Sequence, residues 1–226
     1  MLTPTFIIEP FLLFSHEMYQ RNDILLGGMA LRKVGLVLLL VCCSWYFSAL
    51  AAVEAKEKRT ADEYIAALQL VEHVEGGYFR ELYKNQRKAG APMLPDAYAG
   101  ERPLASTIYY LLRSGGVSQF HQLLSDEIWF YHDGSPLVLH MISPAGELTS
   151  VRLGLDVARG ERPQVLVPAQ TIFGAEVAEK GSFALVSCVV SPGFDYRDFR
   201  LCSYEELMRQ YPAYAGVIER LNGKRQ

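Results

Sequence analysis

"GGVSQFHQLLSDEIWFYHDG", residues 115–134, holds a histidine, an acidic pair and an aromatic cluster, and it closes on a glycine-bounded turn. Apolar residues run on both sides of "LLSD", the pattern of two strands around a tight turn. Alternate residues of a strand share a face, so His121 and Leu123 point one way, and Glu127, Trp129 and Tyr131 share a face of the next strand. If the turn folds the strands together, His121 and Glu127 meet on an inner surface. An imidazole and a carboxylate are valid ligands for Zn, Mn or Fe, but two protein ligands seldom hold a metal tightly.

Similar segments surround this stretch: "YFRELY", "LASTIYYLL", "PLVLHMI", "LTSVRLGL", "RPQVLVP" and "SFALVSCVVS", separated by Gly, Pro, Asp and Asn clusters. Many short strands with close turns predict a mainly β chain, an antiparallel barrel or sandwich. Helices are expected only at the ends. Thr60 with Glu63 forms a capping box before "ADEYIAALQL", Ser203 with Glu206 forms a second before "YEELMRQ", and Pro212 suits the first turn of "AYAGVIERLNG".

The composition is that of a globular protein, 50% apolar and 21% charged with a net charge of -3, and no basic patch points to nucleic acid. The stretch beginning at Met29 has Arg32 and Lys33, an apolar run from Val34 to Phe47, and Ala49 and Ala51 around Leu50. That order reads as a signal peptide over 29–51, with export to the periplasm or outside after cleavage. The competing reading is a membrane anchor over 34–53. Residues 1–28 are then an upstream extension, with translation expected to start at Met29; 52–65 form a linker and helix start. Cys42 and Cys43 belong to the apolar run, whereas Cys188 and Cys202 read as small buried thiols whose oxidation the sequence leaves open.

The spacing around His121 resembles the first cupin motif: Gly115, five residues, His121, then Glu127, six residues and Gly134. The second motif resembles "RPQVLVPAQTIFGAEV", with Pro168 in place and Gln170 where glycine is usual. Leu123 and Phe173 stand where the family has two further metal-binding histidines. With "VEHVEGGYFRELY", "STIYYLL", "LGLDVARGERPQVLVPA" and "VSPGFDYRDF", the chain resembles, over about Ala66 to Leu221, a small RmlC-like cupin family defined only as a domain of unknown function. The resemblance implies a single cupin jelly-roll domain over 66–221, a shape like that of deoxysugar epimerases and germin-type cupins, and a homodimer. It implies no particular reaction, and Leu123 and Phe173 depart from germin-type metal chemistry.

His121 and Glu127 are the candidate catalytic residues, His121 as a base and Glu127 orienting it or exchanging protons in an isomerase- or epimerase-like reaction. A carboxylate such as Glu127 is costly to bury unless paired or used. His140, in "PLVLHMI", completes a His121, Glu127, His140 metal site if it faces inward, and is otherwise a bonded core histidine. Arg80 could bind an anionic ligand through its fork of donors or pair with a glutamate on the sheet. Tyr109, Gln164 and Glu176 are polar residues of strand-like segments, and Trp129, Tyr131 and Phe173 could wall a pocket for a small polar molecule such as a sugar. Asp126 and His132 read as outward or turn residues, and His73 as a loop residue. No cofactor is required by this reading, with a divalent metal ion as the alternative. The other function classes are a binding module that converts nothing and a divalent-metal cupin.

Overall fold

The computed structural model describes residues 59–90 and 93–223, so the expected signal peptide, the upstream extension and most of the linker lie outside the described residues. Among the described residues no helix is long and apolar enough to cross a membrane.

The capping box holds as expected: Thr60 Oγ1 accepts from the Glu63 backbone N–H, Glu63 accepts from the Thr60 N–H, and helix α1 runs Ala61–Leu68. Strands β1 (Val71–Glu72), β2 (Tyr78–Lys84), β3 (Lys88–Ala89), β4 (Arg102–Pro103), β5 (Ser106–Arg113), β6 (Val117–Leu123) and β7 (Asp126–Gly134) follow. The chain continues with β8 (Leu137–Ile142), β9 (Leu148–Leu153), β10 (Gln164–Val167), β11 (Ile172–Val177), β12 (Phe183–Ser191) and β13 (Phe199–Leu201). Helices α2 (Tyr204–Gln210) and α3 (Ala215–Asn222) close the fold, with Pro212 opening a 3-10 turn between them. At the start of α2, Ser203 accepts from the Glu206 N–H, while the Glu206 carboxylate turns to Arg200 instead of back to the cap.

The strands form two antiparallel sheets, β1-β2-β5-β12-β7-β10 and β13-β6-β11-β8-β9, with β3 and β4 paired separately. This is a mainly β jelly roll. The opening stretch does not fold as a hairpin: β6 pairs with β11 and β13, and β7 with β10 and β12, so "LLSD" is a corner between the sheets. His121 and Glu127 therefore face one interior from opposite sheets. Segment 172–177, read only as part of a motif, is the strand that joins β6 to β8.

Alternation sorts the side chains into three clusters. Between the sheets lie Tyr110, Leu112, Leu123, Trp129, Leu139, Phe173, Val186 and Cys188. Leu111, Phe183 and Leu185 face α1, while Phe120, Ile142 and Ile172 pack under α2 and α3. Full burial of a large apolar side chain contributes about 1.5–3 kcal/mol, so the shared inner cluster binds the two sheets together.

Candidate functional site

A β-bulge in β6 builds the centre of the site. Phe173 pairs with His121, but the register slips before Ala175 pairs with Ser118. The extra residue turns Phe120 out to the helices and leaves both Ser118 and His121 facing inward. Bulges re-aim side chains beside functional sites. A Cβ at Gly174, opposite the bulge, would lie 2.7 Å from the Ser118 carbonyl, and only glycine permits that approach. Asn222 Oδ1 accepts from the Phe120 N–H at 3.0 Å, and its amide donates to the Cys202 carbonyl at 2.8 Å, fixing the bulge to α3.

The loop "HVEGG", residues 73–77, is sewn onto this bulge. The Gln119 N–H donates to the Glu75 carbonyl at 2.8 Å, and Ser118 Oγ donates to Glu75 Oε1 at 2.9 Å. The Tyr110 hydroxyl donates to the Gly76 carbonyl at 2.8 Å. Gly76 sits at φ 108, where a Cβ would overlap the Val117 carbonyl. The tight approach places the Glu75 carboxyl in the interior, 6% exposed, although it comes from a loop.

His121 Nδ1 lies 2.7 Å from the Gln119 carbonyl. A carbonyl only accepts, so Nδ1 carries hydrogen and the neutral ring presents a bare Nε2. That Nε2 faces Glu75 Oε2 at 3.3 Å, and His73 Nδ1 lies 3.5 Å from the same oxygen. Two acceptors facing each other need a proton between them. Burial supplies it: desolvation pushes Glu75 up from 4.5 to about 7, against the opposing pull of His73, Ser118 and Tyr110. Desolvation also holds His121 down at about 4, so the pair keeps its proton on the carboxyl near neutral pH.

Glu127 enters from the other sheet. Burial, and after it the charge of Glu75, raises its carboxyl to about 8, with the Cys188 thiol beside it opposing the rise. The same burial drives the Cys188 thiol and the Tyr110 hydroxyl well above their usual ranges. His73, Glu75, Tyr110, His121, Glu127 and Trp129 line one cavity of about 290 Å³. Its mouth carries Glu81, Lys84, Asp195 and Tyr196.

The residues expected from the sequence divide sharply. His121, Glu127 and Trp129 line the cavity, and Phe173 backs it with its ring centroid 4.1 Å from that of His121. Tyr131 shares the inward face of β7 but bonds the Gly134 carbonyl at 2.5 Å and does not line the cavity. Arg80 and Tyr109 are cross-strand partners on the outer face; Arg80 donates to the Leu68 carbonyl at 3.0 Å, and Tyr109 packs against His132. The inward residue of that pair of positions on β5 is Tyr110. Gln164 is exposed, because Val165 and Val167 take the inward positions of β10.

His140 also lies outside. Leu139 and Met141 face the interior, which turns His140 to the outer face, where it bonds Ser150 Oγ at 2.8 Å and Glu176 Oε1 at 3.1 Å. Arg220 of α3 holds the same Glu176 carboxylate at 3.0 Å. His140 is thus a bonded histidine under a helix, and it does not join His121 and Glu127. Asp126 and His132 face outward as their parity indicates; Asp126 accepts from the Ala169 N–H at 2.7 Å and His132 bonds Ser187 at 2.9 Å.

Glu75, His73, Tyr110, Ser118 and Cys188 are the site residues that strand periodicity did not single out. For Glu75 and His73 the available signal is "HVEGG", an acid and a histidine beside two glycines. The glycines mark a close backbone approach.

A family profile, Cupin_5, described as Cupin superfamily (DUF985), matches residues 62–202. The chain belongs to this cupin family. The cupin is similar to the crystallographically determined protein SO0799 from Shewanella oneidensis, with 47% identity, a TM-score of 0.65, and coverage of 73% of this chain and 98% of that one. A hypothetical protein from Leishmania major is 38% identical with a TM-score of 0.67, covering 74% of this chain and 100% of that one. The uncharacterized protein YML079W of Saccharomyces cerevisiae is 27% identical over 150 residues, 62% of this chain and 74% of its own length.

Cupins of the germin type hold a metal between the two motifs, and the donor set of this cupin does not fit one. Leu123 and Phe173 are apolar and buried, both His121 nitrogens are committed to Gln119 and Glu75, and His140 is on the outer face. Among the described residues no three His, Cys, Asp or Glu side chains are arranged to hold a metal ion.

Proposed function

We propose that this cupin is a proton-transfer enzyme of isomerase or epimerase type acting on a small polar molecule, with the Glu75–His121 pair as base and Glu127 as acid. The observation that carries this reading is the buried Glu75–His121 contact, 3.3 Å, lining the same cavity as Glu127. Proton abstraction beside a carbonyl needs a base whose pKa lies near the working pH and a donor for the oxygen that gains charge. Glu75 at about 7 suits the first role and Glu127 at about 8, carrying its proton, the second. His121 becomes the partner that positions the base, since burial holds its own pKa at about 4. Its fixed tautomer points Nε2 at the carboxyl, and any proton taken by Glu75 is shared with it.

Deuterium exchange tests the reading without knowledge of the product. The protein is incubated in D2O with small ketoses, aldoses and keto acids, and NMR follows loss of the C–H signal next to each carbonyl. Exchange that falls about 100-fold or more in Glu75→Gln supports the assignment, since a positioned acid or base contributes about 10²–10⁴. No exchange with any compound, or full exchange in Glu75→Gln, overturns it; binding without exchange would leave a module that holds its ligand unchanged.

A further inference from the structure

The donors and the charges of the cavity together define what it accepts. Trp129 is 1% exposed and lines the cavity, yet its indole Nε1–H has no partner among the described residues. A buried tryptophan N–H usually finds an acceptor, and leaving one unpaired costs about 1–3 kcal/mol. Tyr110 and Phe173 pack edge-on against the Trp129 ring, and the Tyr110 hydroxyl is bonded to the Gly76 carbonyl. Glu127, two residues earlier on the same face of β7, brings a carboxyl that is also buried.

The charges point the same way. Among the described residues Lys84 is the one lysine or arginine that lines the cavity, and it pairs with Glu81 at 3.4 Å at the mouth, where Asp195 also lies. The carboxyls deep in the cavity, Glu75 and Glu127, hold protons near neutral pH, and at the mouth Asp195 is already paired with Arg197 at 2.7 Å, so an anionic ligand finds no unpaired lysine or arginine among the described lining residues. A cavity of about 290 Å³ is at the small end for ligand sites.

We infer that the cavity takes an uncharged hydroxycarbonyl compound of triose to hexose size, its carbonyl oxygen accepting from Trp129 Nε1–H and the Glu127 carboxyl, and that it rejects organic acids and phosphorylated sugars. The inference rests on the proton-transfer reading of the same site. In the step it implies, the Glu75–His121 pair removes a proton from the carbon beside the carbonyl. The C–H electron pair becomes the new C=C bond, and the carbonyl π pair moves to oxygen, which takes the Glu127 proton. Return of a proton to the opposite face of the same carbon, with the new O–H giving its proton back to Glu127, completes epimerisation; return to the former carbonyl carbon, with the neighbouring hydroxyl giving its proton to Glu127, completes isomerisation.

The test is ligand-observed NMR titration at neutral pH with dihydroxyacetone, erythrulose and fructose against dihydroxyacetone phosphate, fructose 6-phosphate and pyruvate. At least one neutral compound is expected to bind, about tenfold or more tighter than every anionic one. Trp129→Phe, which keeps a ring without the donor, is expected to weaken that binding about five- to tenfold, the value of one neutral hydrogen bond. The charge preference is read on the unaltered protein, so it stands even if Trp129→Phe fails to fold. Tighter binding of the anionic set, no binding by any neutral compound, or unchanged affinity in folded Trp129→Phe overturns the inference. Exchange in D2O separates the two readings: neutral ligands that bind without exchange sink the reaction and keep the ligand class, whereas exchange confined to anionic compounds does the reverse.

Discussion

Replacing Glu75 by glutamine isolates the proton held in the buried pair. The amide keeps the shape of a protonated carboxyl and cannot ionise. Burial lifts Glu75 from 4.5 to about 7, so the folded protein binds this proton more tightly than the unfolded chain does. The resulting stability is fully present below the unfolded value of 4.5 and is lost as pH rises through 7. A shift of that size corresponds to about 3 kcal/mol. His121 acts in the opposite sense: lowered from 6.5 to about 4, it contributes stability above 6.5 that is lost as pH falls through 4. His121 is present in both proteins and to first order cancels in the comparison, whereas Glu127 is raised in part by the Glu75 charge, so its own shift is smaller in Glu75→Gln and adds to the variant's gain at high pH. Urea unfolding of the wild type and Glu75→Gln at about pH 5 and about pH 9 reads the difference, and the variant should gain about 3 kcal/mol on the wild type across that interval. A difference that is the same at both pH values would refute the buried proton, and with it the assignment of Glu75 as the base.

The same two carboxyls set the pH profile of turnover. The base must lose its proton and the acid must keep its own, so the rate should rise through about 7 and fall above about 8, giving a narrow bell in kcat/KM; a rate still climbing at about pH 10 would contradict it. Arg102, fully buried, grips Asp198 with two hydrogen bonds of 2.6 Å and ties the segment before Phe199 to the loop at Gly100. Arg102→Met strands that carboxylate and should cost about 3–5 kcal/mol in urea unfolding, whereas a loss under about 1 kcal/mol would show the pair to be dispensable. His140→Ala should leave ligand binding in the cavity unchanged, because His140 sits on the outer face between Ser150 and Glu176. A tenfold loss of affinity in NMR titration would return His140 to the site.

The legible and illegible parts of the site differ in how each residue gets there. Glu127 and Trp129 follow from alternation alone, because β7 is regular over that stretch and its inward residues pair with Val190 and Cys188. The two helix caps were equally readable, since Thr60 and Ser203 act within four residues of chain. Tyr109 was the wrong member of a Tyr-Tyr pair: "TIYYLL" is apolar on both faces because β5 is covered by α1 on one side and the interior on the other. His140 failed for the same reason, its strand being buried on both faces, so that an apolar neighbourhood carried no direction. Glu75 and His73 were out of reach of any periodicity argument, for they are loop residues and their position depends on a bulge 43 residues away. Only tertiary contact connects Glu75 with Ser118 and Gln119.

Leu123 and Phe173 explain why the carboxyls behave as they do. In a metal-binding cupin those positions would hold imidazoles around a cation, and a cation beside Glu127 would keep it ionised. Here Phe173 packs tilted against His121 and Leu123 is buried in the same inner cluster, so apolar side chains stand where the ligands would be and burial is the largest influence on both carboxyls. Low polarity favours the neutral form of every ionisable group, which raises Glu75 and Glu127 and lowers His121 together. The side chains that take away the ligands therefore add to the burial that brings two carboxyls into the range where they can pass protons at neutral pH. The "HVEGG" loop supplies the partner that makes this useful, by setting Glu75 against the nitrogen of His121 that a metal would otherwise claim.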